Sequence, residues 1–246
     1  MKTNVQEVAE TLGSSLKPLT QETSWDLRIK FTNKAPVIGL KDQKPVIGDL
    51  VFPASPFPNS RLSQIESNKK MTTASVSGDE EAIVRVYEVP LWKEGFSKLP
   101  CIVPMTSFFE PCYWGEKAGE IVRFEDPDHR VLFVPGFVVK PRVPSTDKPN
   151  GFTMLTHVAS EQMLRFHHRL LVFLKPQRAI EYLFLDKTDP QQRFEFLLQH
   201  RLVPDLEVST ERKMAKGWER RVSQHLDSLK AEQGYRQTLD KEQVLA

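Results

Sequence analysis

The polar and apolar positions change period several times along the chain. "VQEVAETL", Val5–Leu12, places apolar residues at helical spacing, and Gly13 follows where a helix C-cap belongs, so a short opening helix is predicted. From about 25 to 52 the pattern shifts to β-branched runs broken by Pro and Gly, and "LRIKF", "APVIGL" and "KPVIGDLVF" predict strands. Similar runs predict strands over 82–89, 99–104, 120–125, 131–139 and 152–157. "SEQMLRF" predicts a helix capped by Ser160, with Met163, Leu164 and Phe166 turned inward. "RLLVFLKP" then reads as a strand, and "PQRAIEYLFL" and "DPQQRFEFLLQH" as short amphipathic helices with Pro near their starts.

The connections are equally marked. "PASPFPNSR", 53–61, holds three prolines in nine residues and predicts an extended, rigid loop. Residues 62–79 are polar and predict a surface loop or helix edge, "SGDEEA" a solvated turn, and "KPRVPSTDKPNG" a hairpin or excursion between strands. From 206 to 246, Lys, Arg, Glu and Gln dominate, which predicts a charged helical or disordered extension outside the main core. No internal repeat is visible. The whole predicts an α+β fold: one β-rich domain over 1–205 with inserted helices, followed by the charged extension.

Composition narrows the functions. The 246 residues are enough to bury a substantial core, and a net charge of +2 means that any basic surface must be built by local clustering. Two cysteines, Cys101 and Cys112, are too few for a disulfide framework and lack metal-ligand neighbours at the usual spacing, which fits a reducing cytoplasmic setting. No run of eighteen apolar residues occurs, so neither membrane insertion nor secretion is expected.

The stretch with most chemistry is "LRFHHRLLVFL", where His167 and His168 sit between Arg165 and Arg169 at the mouth of an apolar run. A metal site, an acid/base site, a phosphate-binding corner and ordinary core histidines are all open readings. Neighbours on a strand or turn face opposite ways, so one of the two histidines is expected to reach any shared site. His157 and His200 are available to complete a metal site, but their spacing resembles no zinc signature, and no metal is expected. In "CIVPMTSFFEPCYW" a buried strand and a Pro turn lead to Glu110, embedded among Phe108, Phe109, Pro111, Tyr113 and Trp114. Such a carboxyl is either a general acid or a structural group held by an arginine or backbone N–H groups. "PNSR" supplies Asn59 and Arg61, two good donors to phosphate or carbonyl oxygens that point the same way if the segment is extended. No G-x-S-x-G surrounds Ser107, and the eleven glycines form no phosphate-cradling loop. Aromatics beside basic residues, as at Trp92-Lys93 and from Phe166 to Arg169, suit base stacking and phosphate contact.

Taken in order, these segments resemble the SOS-response-associated peptidase (SRAP) family, whose members bind abasic sites in single-stranded DNA. "NSR" is similar to the family's N-A-R, "CIVPMTSFFEP" to its C-L-I-P-A-D-G-F-Y-E-W, "FVPGFVV" with Gly136 to its F-A-G-L-W, and "FTMLTHVASEQMLRFHHRLLVFL" to its F-x-I-L-T-x-x-A-N…I-H-D-R-M-P-V-I-L. The resemblance covers about 1–205. It implies an SRAP-like fold with a barrel-like core around a groove and flanking helices. It further implies Asn59 and Arg61 at the abasic sugar and its phosphate, Glu110 and His167 as catalytic acid/base groups, with Asn59 beside them, and Arg169 as a second DNA-binding arginine. His168 stands in the family's Asp position and is expected to face elsewhere.

The departures are chemical. Family members begin Met-Cys-Gly-Arg, and the exposed cysteine traps the ring-opened sugar aldehyde, whereas Lys2 stands here and Met1 should be retained. Thr106-Ser107 replaces D-G, and Leu170-Leu171 replaces Met-Pro. Either the true start lies upstream and restores a cysteine, or this is a thiol-less member of phage or mobile-element kind, in which the Met1 amine or Lys2 forms a Schiff base. The expected function is binding and processing of abasic sites in single-stranded DNA in the SOS response, with thiol-dependent crosslinking lost or dependent on the start. The alternatives are a non-catalytic DNA-binding or protein-interaction module of the same fold, and a peptidase or other hydrolase. Expected partners are single-stranded or abasic DNA and a protein docked by the C-terminal extension; no cofactor and no membrane partner is expected.

Overall fold

Alternation of apolar side chains along the central strands sets the architecture. In the computed structural model, which describes residues 5–13, 17–18, 33–52, 73–75, 86–88, 92–140, 150–227 and 230, the strands of one large sheet send successive residues to two separate hydrophobic clusters. On β5 (Pro100–Met105), Ile102 faces one cluster while Cys101 and Val103 face the other; on β8 (Leu132–Val139), Phe133 and Phe137 oppose Leu132 and Val134. Buried on both faces, such strands read as continuous apolar runs, which is why "CIVP" and "VLFVPGFVV" stand out in the sequence.

Strands β2 (Asn33–Lys41) and β3 (Lys44–Phe52) form a hairpin in full register, closed by Asp42 and Gln43 at positive φ of 51° and 58°, the twist a two-residue hairpin turn demands. β2 pairs with β5 at Ile38–Ile102, β5 with β8, and β8 with β9 (Gly151–Val158). β9 then returns to β3 at Val51–Gly151, so the pairings run round a ring. β4 (Thr73–Ser75) and β10 (Arg169–Leu171) also pair with β9, on its two opposite edges at Thr156, while the short β1 (Lys17–Pro18) lies parallel to β3.

Helices cover one side of this sheet. α1 (Val5–Leu12), α2 (Lys93–Lys98), α4 (Pro176–Phe184) and α5 (Pro190–His200) bring Val8, Leu12, Phe96, Tyr182, Leu183 and Leu197 onto Ile38, Ile102 and Phe137. Gly13 ends α1 at φ +60°, and Pro176 and Pro190 open α4 and α5. Arg193 of α5 is fully buried, its guanidinium donating to the carbonyls of Tyr182 at 2.7 Å and Leu185 at 2.9 Å, which α4 leaves open at its C-terminal end.

The other side is covered by a second sheet. After Thr106 the chain leaves the large sheet, and β6 (Ser107–Cys112) pairs with β7 (Glu120–Glu125). Phe108 and Phe124 stack with ring centroids 4.9 Å apart and pack with Val103, Val134 and Phe173. α3 (Glu161–Leu164) closes this flank; Ser160 caps it by accepting from the Met163 N–H at 3.2 Å. The fold is therefore the expected α+β arrangement with a sheet-rich core.

Several local expectations are corrected. Residues 86–88 form a turn within the predicted strand 82–89. The expected Pro turn after "CIV" is absent, because Pro104 lies inside β5 opposite Phe133 and the chain bends at Thr106. "RLLVFLKP" is ladder-paired only over Arg169–Leu171, continuing as single bridges at Phe173–Leu202 and Leu174–Phe133. Within the charged extension, β11 (Glu207–Lys213) adds antiparallel to β7, and a 3₁₀ turn at Trp218–Arg221 leads into helical residues up to 227. The predicted strand "LRIKF" and the loop 53–61 lie outside the described residues, as does 141–149 of the excursion 140–151. Among the described residues no helix is long and apolar enough to cross a membrane.

Candidate functional site

The chain's departure from the large sheet at Thr106 decides where Glu110 lies. On β6, Phe108, Glu110 and Cys112 share one side; Phe108 and Cys112 are buried, and Glu110 projects from the same side with 30% of its side chain exposed. His167 approaches from the large sheet, in the turn between α3 and β10, where its N–H donates to the Met163 carbonyl at 2.8 Å. Its ring is 13% exposed, and its Nε2 lies 3.8 Å from Glu110 Oε2. The two groups thus meet between the sheets. At 3.8 Å they are too far apart to share a proton directly.

The His167 ring is held from behind. Its Nδ1 is 3.0 Å from the Arg169 carbonyl and 3.3 Å from the Arg169 N–H. Nδ1 is thus engaged by the Arg169 backbone, and Nε2 is the ring nitrogen that faces Glu110. The Trp114 indole N–H donates to the Leu164 carbonyl at 2.8 Å, tying the end of β6 to the end of α3. The strand that carries Glu110 and the turn that carries His167 are therefore fixed to each other by a bond that involves neither side chain.

The group that faces Glu110 is an imidazole; Arg193, the buried arginine among the described residues, donates from both terminal nitrogens to the Tyr182 and Leu185 carbonyls. His168 does not face elsewhere. Its ring centroid is 4.4 Å from that of His167, because both residues precede β10 in a bend where strand alternation does not operate. Beyond it lies His225, buried and stacked on Tyr113 at 3.8 Å and 9°. His157 instead meets Arg201, and His200 packs on Phe196. Arg169 opens β10, and its backbone atoms frame His167. Asn59 and Arg61 lie outside the described residues. Neither cysteine is a reactive thiol: burial pushes the Cys101 thiol far up, and burial raises Cys112 as well, its Sγ lying 3.0 Å from the Trp114 carbonyl.

Sequence reasoning missed Tyr113, Trp114 and His225 as parts of this site. Tyr113 and Trp114 carried a signal as the aromatic company of Glu110, whereas His225 stands alone in a polar stretch with none.

These features define an α+β domain with an acid–imidazole pair between two sheets. The family model described as "SOS response associated peptidase (SRAP)" matches residues 59–212, well over half of the chain, and the protein belongs to that family. No curated protein matches the chain significantly. Among solved structures, a protein from Bordetella bronchiseptica shares 18% identity with a TM-score of 0.58, covering 86% of this chain and 97% of its own. A protein from Bacteroides thetaiotaomicron gives 17% and 0.59, covering 86% and 90%, and a phage-related protein from Bordetella bronchiseptica gives 18% and 0.57, covering 86% and 92%. At such identities the likeness is one of fold. The family match takes in Asn59, Arg61, Glu110, His167 and Arg169 and ends before His225.

Proposed function

We propose that this protein binds abasic sites in single-stranded DNA and processes them with Glu110 and His167 as the proton-transfer pair. Membership of the SRAP family supports, at the family level, a role in DNA damage at abasic sites. The observation that carries the finer reading is the meeting of Glu110 and His167, with the imidazole Nε2 and the carboxylate facing each other across 3.8 Å. Proton transfer at the sugar C1′ and its neighbours is the task that such a pair performs. Asn59, Arg61 and Arg169 are assigned to the sugar and the flanking phosphates, which makes binding salt-sensitive.

Neither Cys101 nor Cys112 suits a thiol trap, since both are buried and pushed upward, and we assign the aldehyde of the ring-opened sugar to the Lys2 amine. The amine adds to the carbonyl, the carbinolamine loses water, and the resulting imine is reducible. The same buried thiols favour a second reading, a DNA-binding module that makes no covalent adduct.

Borohydride reduction of the protein mixed with an abasic oligonucleotide, followed by peptide mapping, separates these. An adduct on the N-terminal peptide supports the amine reading. Binding without an adduct supports the module. Absence of any preference for abasic over intact single strands overturns both. Glu110→Gln is expected to retain affinity within about threefold while slowing adduct formation on the order of 10²-fold.

A further inference from the structure

His168 and His225 fall outside the family pattern quoted above. His168 occupies a position where the family motif quoted above carries Asp, and His225 lies beyond the family match, which ends at residue 212. Two histidines absent from that pattern nevertheless converge with His167: one ligand nitrogen from each lies within 4.8 Å of the other two. We propose that His167, His168 and His225 bind a divalent transition cation of the zinc class, which fastens the C-terminal segment to the core.

The donor set points to that class. Three imidazoles suit zinc, cobalt, nickel or copper, whereas magnesium and calcium require oxygen ligands. Nitrogens bound at about 2.0–2.1 Å on a tetrahedral ion stand roughly 3.4 Å apart. Closing from 4.8 Å to that separation needs about 1.4 Å, which small changes in side-chain torsion supply without backbone movement.

The surroundings are those of a supported site. Stacking on Tyr113 sets the plane of the His225 ring, and the Arg169 carbonyl at 3.0 Å from His167 Nδ1 is the outer hydrogen bond that orients a ligating imidazole through its other nitrogen. His225 is 5% exposed, and the Nδ1 atoms of His168 and His225 are shielded from solvent, so an ion here is not lost among surface ligands. Glu110, 3.8 Å from His167 Nε2, places a carboxyl group beside the three imidazoles. The cation draws on the same His167 nitrogen that the proposed proton transfer uses, so a loaded site withholds that imidazole from chemistry.

The geometry also says why the C-terminal segment returns to the core. Trp218 lies against Gly119, where an added Cβ would come within 2.9 Å of the indole, and His225 completes the contact on Tyr113. Both contacts fall on the β6–β7 region that carries Glu110.

The test uses the full chain, stripped with a chelator and titrated without DNA, so its outcome is independent of the DNA reading. Calorimetry with Zn²⁺ is expected to show one equivalent bound with Kd below about 1 μM. Co²⁺ should give the visible bands of a low-coordinate nitrogen site, Zn²⁺ should raise the melting temperature, and Mg²⁺ should do neither. His225→Phe keeps an aromatic ring on Tyr113, and His168→Asn keeps a polar group. Each should remain folded by thermal melt and bind Zn²⁺ at least about tenfold more weakly. Less than one equivalent bound at about 0.1 mM Zn²⁺, or wild-type affinity in either variant, overturns the proposal. Loss of binding on His157→Ala or His200→Ala, with His225→Phe unaffected, does so too.

Discussion

Gly136 lies in the middle of β8, flanked by Cys101 on β5 and Met154 on β9. A Cβ placed there would come 2.3 Å from the Thr153 carbonyl oxygen, about 1 Å inside an ordinary carbon–oxygen contact. The strand is not free to retreat. The Tyr182 hydroxyl donates to the Gly136 carbonyl at 3.0 Å from the helical side, and β5 holds the other edge. Overpacking costs typically about 1–3 kcal/mol, and a clash with backbone on a doubly paired strand falls at or above the top of that range, so Gly136→Ala is expected to cost about 3–4 kcal/mol. At roughly 2–4 °C per kcal/mol for a chain of this size, the melting temperature falls by about 6–16 °C. Gly39 on β2 is the comparator: nothing lies within 4 Å of its added Cβ, and Gly39→Ala should shift stability by under about 1 kcal/mol, in the stabilising direction. Thermal unfolding of both variants by circular dichroism reads the difference. If Gly136→Ala melts within about 2 °C of wild type, or if the two substitutions cost the same, strand contact is not why glycine stands there.

Three further outcomes follow from buried groups. Burial alone would raise the pKa of Asp126, but the Arg130 guanidinium and the N–H groups of Asp128 and Arg130 outweigh it and hold the carboxyl below its ordinary value. A folded pKa below the unfolded one adds stability that is complete above about pH 4 and disappears as pH falls through the folded value. Asp126→Asn should therefore cost about 2–3 kcal/mol near neutrality and progressively less in urea melts below about pH 4; a pH-independent difference would contradict this. Both thiols should react with a maleimide at pH 8 at least about 10²-fold more slowly in the native chain than in the unfolded one, read by mass spectrometry, and a fast native thiol would refute their burial. Arg193→Met should cost about 2–4 kcal/mol by denaturant unfolding, because it removes the donors from the Tyr182 and Leu185 carbonyls; a neutral result would mean that those carbonyls find other donors.

What the sequence discloses depends on whether local pattern or distant pairing carries the information. β7 is read to the residue, 120–125, because the β-branched pair Ile121-Val122 and Phe124 stand among charged residues, with Val122 and Phe124 buried on one face. α3 and α5 announce themselves by Ser160 and by Asp189-Pro190. β11 has no such mark: Val208 is the one apolar side chain in "EVSTERK", and an edge strand on a half-exposed sheet needs no apolar face. Closure of the ring rests on one contact, Val51 with Gly151, between residues a hundred positions apart, and no periodicity encodes it. Glu110 and His167 were each legible by chemistry and by resemblance to a family motif; that they face each other required the sheet switch at Thr106. His168 was misplaced because alternation was applied to a bend, and His225 was invisible because burial depends on Tyr113, far away along the chain.

The central claim is that Glu110 and His167 act as one unit on an abasic strand. Single-turnover processing of an abasic oligonucleotide by wild type, Glu110→Gln, His167→Ala and the double variant measures this directly. Each single substitution should slow the reaction on the order of 10²-fold, and the double variant should be no slower than the slower single. Rate losses that multiply in the double variant, or single variants that process the strand at the wild-type rate, would contradict it.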